Sequence, residues 1–252
     1  MATFVIVHGG FGGGWEWTPV ARVLRARGHE VFTPTLTGMG ERSHVGLGER
    51  IGLSVHVEDV VSVLEFEDLY DVVLCAGSYG GMPVTAAADR AAHRIALVVY
   101  VDALVPRYGQ SALELLPAGF GEMVRSGIAE HGDAWRVPLP PALRDNLVPD
   151  GSLAPEHREW YLSRARAQPA ASFVEAVQLS GAVERLQRAF VRSTASRIAD
   201  ELGDDPIEPC AQRARAEGWP YRELATLHDP QLFEPLGTAD ALVELAAERL
   251  GS

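Results

Sequence analysis

Ser78 stands within Cys75-Ala76-Gly77-Ser78-Tyr79-Gly80-Gly81, directly after the apolar run that ends at Leu74. A strand that turns at once into a helix strains the turning residue. Its close approach tolerates only small side chains two residues before and two after, the places of Ala76 and Gly80. Such a turn lifts the serine hydroxyl above the sheet edge at the N-terminus of the helix starting near Tyr79, where backbone N–H groups stabilise an oxyanion. This is a nucleophile elbow. A glycine-rich turn of no chemical consequence is the competing reading, and two further features weigh against it.

The first is the β-rich run Thr3-Phe4-Val5-Ile6-Val7, which empties into His8-Gly9-Gly10-Phe11-Gly12-Gly13-Gly14-Trp15. Glycines there let the backbone fold close to a ligand and aim an N–H at it. The loop lacks the Lys-Ser/Thr ending of a phosphate-binding loop and the spacing of a dinucleotide fingerprint, so an oxyanion-hole loop is the better fit. One donor is then the N–H of Gly10, with Phe11 its nearest competitor, and the other is that of Tyr79, the residue after the nucleophile. The second feature is Leu227-His228-Asp229-Pro230, following the predicted strand 220–226. Serine needs a base to take its proton, and His228 is the best placed of eight histidines. His8 belongs to the glycine loop as a packing residue. His29, His44 and His56 fall in loops or helix starts, and His93, His131 and His157 in polar helical surroundings.

At this point the chain resembles the cofactor-free α/β-hydrolases of the branch that holds the plant methyl-salicylate esterases, the hydroxynitrile lyases and many small bacterial esterases. The matching stretches are His8-Gly9-Gly10 with Trp15-Glu16-Trp17, Leu36 to His44, Ser78-Tyr79-Gly80-Gly81, Tyr100 to Pro106, and His228-Asp229-Pro230 before Pro235. They span nearly the whole chain. Two departures stand out. The family usually has Gly-His before the nucleophile, where this chain has Ala76-Gly77, and usually Gly before the histidine, where it has Leu227. The missing imidazole at 77 is expected to open space beside the nucleophile for a bulkier substrate.

The acid is the larger departure. The resemblance implies a carboxylate just past the strand 188–194, yet the residue aligned there is Ser196, which carries no charge. Asp102, leaving the strand 95–101 on the same sheet edge, is the first candidate to orient His228. Asp204 and Asp205 are the alternatives, although an acidic pair before Pro206 is also explained by capping of a helix start.

The chain has 252 residues, 47% of them hydrophobic, enough for one α/β unit with an insertion. A net charge of −12 argues against a nucleic acid or an anionic membrane surface, both of which call for a basic face. No signal segment or membrane span is read in the sequence, and Cys75 and Cys210 give neither a disulfide framework nor metal spacing, so a cytoplasmic enzyme is expected. The chain contains no lysine, which excludes a Schiff base. The hydroxynitrile lyases it resembles use a lysine just after the catalytic histidine, where Asp229 stands here, so cyanogenic chemistry is disfavoured.

The strand–helix alternation predicts a mostly parallel sheet of about six strands, near 3–8, 30–34, 71–77, 95–101, 188–194 and 220–226, with helices on both faces near 17–27, 52–67, 80–91, 206–217 and 235–249. Residues 1–103 and 187–252 form the expected α/β-hydrolase core. The segment 104–186 is too long for a plain connection and is read as a helical cap, with helical periodicity at 119–130, 155–167 and 171–186 and a proline-rich turn at 137–141. Phe11, Trp135 and Trp160, with Phe120, Tyr161 and Phe173, are the expected apolar lining of the pocket.

The reading is a serine hydrolase cleaving an ester, or an amide, of a mid-sized apolar or aromatic molecule through an acyl-enzyme, with no metal or cofactor. Its partners are a small-molecule substrate and, as an open option, a second copy in a homodimer. The alternatives are a non-hydrolytic cyclase, lyase or acyl-transfer enzyme of bacterial secondary metabolism and a non-catalytic small-molecule binder. With Asp229 in place of a lysine, mandelonitrile should release no cyanide above the buffer rate. A colorimetric cyanide assay checks this.

Overall fold

The computed structural model describes residues 1–45, 51–130, 135–197 and 203–250. Its strands are β1 (Thr3–Val7), β2 (Glu30–Phe32), β3 (Val72–Gly77), β4 (Ile95–Val101), β5 (Arg136–Val137), β6 (Gln168–Pro169), β7 (Arg188–Ser193) and β8 (Tyr221–Leu224). Six of them form a parallel sheet in the order β2-β1-β3-β4-β7-β8, and β5 and β6 pair as a separate antiparallel ribbon. The helices are α1 (Thr18–Ala26), α2 (Leu53–Phe66), α3 (Gly81–Arg90), α4 (Ala112–Leu115), α5 (Ala118–Glu130), α6 (Pro141–Leu147), α7 (Pro155–Leu162), α8 (Ala171–Val174), α9 (Glu208–Ala216), α10 (Pro230–Phe233) and α11 (Pro235–Leu250). Among the described residues no helix is long and apolar enough to cross a membrane.

The period-two alternation of each strand sorts the core into two layers. Phe4 and Ile6 of β1 and Val73 and Cys75 of β3 pack with Leu24 of α1 and Leu242 of α11. Val5, Val7, Leu74 and Ala76 point the other way, to Leu64 of α2, Met82 of α3 and Ala211 of α9. With both faces covered, central strands read as continuous apolar runs, which explains why β3 and β4 are buried almost throughout.

The segment between β4 and β7 departs from its sequence reading in three places. The helix expected over 155–167 stops at Leu162, because the backbone beyond it is used elsewhere: the Arg166 N–H donates to the Phe11 carbonyl at 2.8 Å, and Gln168–Pro169 pairs with Arg136–Val137. The helix expected over 171–186 shrinks to the short α8 and a 3-10 turn at Val183–Arg185. There the N–H groups of Ser180 and Val183 donate to the Asp89 carboxylate at 2.5 and 2.9 Å, and Val177 exchanges backbone bonds with Gly109 and Gln110, so tertiary partners outcompete helical ones. The proline-rich turn at 137–141 instead contributes β5 and the start of α6, with Pro141 at a position where its missing N–H costs nothing.

Five non-glycine residues have positive φ among those described, and three of them, Phe11, Ser78 and Asp102, lie at the carboxyl ends of β1, β3 and β4. Such conformers cost on the order of 1–3 kcal/mol each and persist only where their surroundings hold them. At Gly81, the first residue of α3, an added Cβ would lie 1.8 Å from the Leu104 carbonyl oxygen, whereas at Gly121 in α5 the nearest atom would be 3.4 Å away. Gly81→Ala should therefore lose about 3 kcal/mol of stability, while Gly121→Ala should gain about 0.5–1 kcal/mol from helix propensity. Urea unfolding of the two variants measures both.

Candidate active site

Ser78 sits at φ +48° between β3 and α3. A Cβ at Gly80 would meet the His8 and Val7 carbonyl oxygens at 2.6 and 2.8 Å, and one at Gly9 would meet the Ser78 Cβ at 3.0 Å, so β1 and the turn touch through backbone alone. The Leu104 N–H donates to the Ser78 carbonyl at 3.0 Å and anchors the turn. At Gly77 the expectation of open space fails. An added Cβ would lie 2.9 Å from the ring of Trp17, which is fully buried and fills the place of an imidazole.

The Ser78 hydroxyl donates to His228 Nε2 at 2.8 Å, and His228 Nδ1 donates to Asp102 Oδ2 at 2.7 Å. Asp102 is fully buried at the end of β4, and its φ of +44° turns the side chain back across the sheet edge. Its second oxygen, Oδ1, accepts from Arg192 Nη1 at 2.6 Å and from the Ser193 N–H at 3.1 Å. Asp205 reaches the other side of Arg192, so it belongs to the same ion chain but is separated from His228 by the guanidinium. Asp204 is exposed and lines a different surface hollow. Burial pulls the His228 pKa down, yet the hydrogen bond and charge of Asp102 outweigh it and hold the imidazole above 6.5.

The glycine loop carries two histidine contacts of different kinds. His8 donates from Nδ1 to the Gly9 carbonyl at 2.7 Å and accepts from the Leu36 N–H at 3.1 Å, and burial lowers its pKa to about 4, so it is a neutral packing residue. The Phe11 N–H is occupied by Gln168 Oε1 at 3.2 Å, which removes Phe11 from the competition with Gly10 for an oxyanion. Gln168 is fully buried, and its Nε2 donates to Ser172 Oγ at 2.9 Å. Both polar backbone groups of Phe11 are thus held by the 104–186 segment. The Tyr79 hydroxyl lies 2.9 Å from His56 Nδ1, whose other nitrogen lies 3.0 Å from the Thr37 carbonyl, and burial lowers the His56 pKa to about 4.

Gly10, Phe11, Ser78, Tyr79 and His228 face one cavity with about 660 Å³ of unfilled space, its mouth included. Its apolar wall comes from both halves of the fold, with Leu104, Phe120, Leu143 and Phe173 on one side and Ile207 on the other. Tyr161 reaches it, but its neighbour Trp160 turns away and packs edge-on against Trp15 at 5.0 Å. Trp135 also stays outside, under the guanidinium of Arg136. Consecutive residues of a helix point about 100° apart, so Tyr161 and Trp160 cannot both face inward. Among the described residues no cluster of His, Cys, Asp and Glu is arranged to hold a metal. His131 lies outside them.

Several of these residues escape a reading of the sequence. An arginine at position 192, following the apolar run Ala189-Phe190-Val191, is a signal, because a buried charge calls for a partner. Gln168 and His56 carry no such mark, since their partners Phe11 and Tyr79 are 157 and 23 residues away.

A strained serine on the central strand, a buried histidine and a buried aspartate in one hydrogen-bonded line define a hydrolase-type site on a doubly wound sheet. The model of the "Alpha/beta hydrolase family" matches residues 4–245. A carbendazim hydrolyzing esterase of Nocardioides sp. (strain SG-4G) is 34% identical over 256 residues, covering 97% of this chain and all of that protein. Methylesterase 17 of Arabidopsis thaliana is 23% identical over 99% of this chain and 92% of its own length. Among solved structures, an extracellular α/β-hydrolase from a Paenibacillus species superposes with a TM-score of 0.85 at 22% identity, over 97% of this chain and 99% of that one. The chain belongs to the alpha/beta hydrolase family and is an ester-cleaving enzyme of the carboxylesterase type.

Gln168→Leu leaves the Phe11 N–H buried without an acceptor and should cost about 2 kcal/mol. Gln168→Glu keeps that acceptor but buries a carboxyl without a cation and loses the donor to Ser172, so it should cost no less. Chemical denaturation of both variants checks the order.

Proposed function

We propose that the enzyme hydrolyses esters of mid-sized apolar or aromatic molecules through an acyl-enzyme on Ser78. The observation that supports this best is the line from the Ser78 hydroxyl through His228 to Asp102, at 2.8 and 2.7 Å. Ser78 Oγ attacks the ester carbonyl carbon while His228 Nε2 takes its proton. The carbonyl oxygen gains the charge and is held by the N–H groups of Gly10 and Tyr79. The C–O bond then breaks, and the imidazolium returns the proton to the departing alcohol. Water repeats the sequence on the acyl-enzyme, with the same proton passing out and back through His228. Asp102 keeps Nδ1 protonated and stabilises the imidazolium. Arg192 and the Ser193 N–H hold Asp102 in place.

Residues 104–186 serve as a cap on a core formed by 1–103 and 187–252. Phe120, Leu143 and Phe173 from this segment close the cavity over Ser78 and exclude water from the acyl-enzyme until the alcohol leaves. The likeness to methylesterases favours a small leaving group such as methanol. A base already 2.8 Å from the serine argues for catalysis over simple binding, so the binder reading is not favoured.

Ser78→Ala should lower kcat on a phenyl or methyl ester by about 10⁴-fold or more with the fold intact, and Asp102→Asn by about 10³–10⁴-fold. Because His228 works as a base only when neutral and its pKa is held above 6.5, kcat/KM should rise with pH through a midpoint above that value. Asp102→Asn removes the carboxylate that raises it, so its residual activity should rise at lower pH. Steady-state profiles, with far-UV circular dichroism as a check on folding, test all three statements. Full activity in Ser78→Ala would overturn the acyl-enzyme.

A further inference from the structure

Glu16, Tyr161 and Asp229 form a polar strip on the wall of the Ser78 cavity, and the ester chemistry leaves it without a task. They are 2%, 3% and 7% exposed, so what remains accessible of them faces the cavity. The Tyr161 side chain adjoins both carboxyls, and Asp229 Oδ1 accepts from Gln231 Nε2 at 3.1 Å.

What the pair lacks is a permanent cation: His228, beside Asp229, offsets its burial only when protonated, and its Nδ1 is held by Asp102. Elsewhere in the interior a buried carboxylate has one, or several N–H groups: Asp102 has Arg192 and His228, and Asp89 has the amides of Ser180 and Val183. Among the described residues neither Glu16 nor Asp229 has an arginine within 4.0 Å. Burial, and then the neighbouring Asp229, push the Glu16 carboxyl well above the usual range, and burial raises Asp229 as well. Two buried carboxyls side by side cannot both ionise without a positive charge next to them, so without one they retain a proton.

We propose that this strip is a subsite for a cationic nitrogen, and that the preferred substrates are esters carrying an ammonium or protonated ring nitrogen close to the ester group. This rests on the ester-cleaving reading of the same cavity. A bound ammonium takes the place of the proton that the pair otherwise retains, and its N–H groups meet the carboxyl oxygens while the rest of the substrate fills the apolar wall. A neutral ester of the same shape gains only the apolar contacts.

Two matched pairs of esters test the subsite. In methyl 4-(aminomethyl)benzoate against methyl 4-ethylbenzoate, the charge sits on the acyl side. In 2-(dimethylamino)ethyl benzoate against 3-methylbutyl benzoate, it sits on the alcohol side. The measured quantity is the ratio of kcat/KM within each pair, in the wild type and in Glu16→Gln and Asp229→Asn, which keep side-chain shape. The expected result is a wild-type preference for the ammonium member in at least one pair, reduced about tenfold or more by each substitution, the size expected for loss of a desolvated charge contact. Ratios unchanged within about twofold in both variants, with turnover still dependent on Ser78, would overturn the subsite and leave the ester reading standing. If none of the four esters is turned over, the ester reading fails. Calorimetric binding of the same four compounds to the Ser78→Ala protein then decides the subsite alone: a preference for the ammonium members that Glu16→Gln removes sustains it, and equal binding overturns it.

Discussion

The buried carboxylate of Asp102 is the interaction on which the rest of the site depends. A lone carboxylate with no solvent would protonate or unfold its surroundings. Here it is the middle of a chain that runs from Asp205 through Arg192 to Asp102 and on to His228. Because Arg192 comes from β7, Asp102 from β4 and His228 from the loop after β8, these ion contacts bind three neighbouring strands at their carboxyl ends. The positive φ at Asp102 is tolerable for the same reason. The Asp102 N–H donates to the Val191 carbonyl at 2.7 Å, and both carboxylate oxygens are occupied, so the surroundings over-determine the strained conformer.

A second constraint acts from the opposite side of the cavity. The glycine loop after β1 has few side-chain contacts of its own, and its shape at Phe11 is imposed by Gln168 and by the Arg166 amide. Removing or shifting the segment that closes the cavity would therefore also release the loop that presents the Gly10 N–H. The covering of the cavity and the shape of the glycine loop are physically linked. That coupling explains why the segment breaks its helical periodicity at 166–169, where an extended backbone is needed to meet the loop.

The cavity combines an apolar wall with a carboxyl pair beside His228. Neutral Tyr161 lines the cavity with that pair and adds a donor, while Trp160, which the sequence reading places at the substrate, packs with Trp15 on its outer side. The lysine-free composition sharpens the point, since arginine is the one long cation the chain possesses, and none is spent on Glu16 or Asp229 among the described residues.

The local sequence determined the sheet. Strand positions and the helices that flank them follow from apolar runs, glycine turns and strand–helix alternation, and the elbow follows from small residues at 76 and 80, because these are properties of neighbours in the chain. Within residues 104–186 local periodicity was a poorer guide: 171–186 reads as a helix, but its amides find Asp89 and the 109–110 turn instead. The acid was open in the sequence, since Asp102, Asp204 and Asp205 all leave strands or start helices near one sheet edge. Only tertiary structure decides that Asp102 faces His228 at 2.7 Å while Asp205 stands behind Arg192. The same holds for Trp17 filling the place beside Gly77, for Gln168 on Phe11 and for the Glu16–Asp229 pair. Each joins residues from 60 to more than 200 positions apart, and no local pattern encodes which distant side chain arrives when a parallel sheet brings its loops to a common edge.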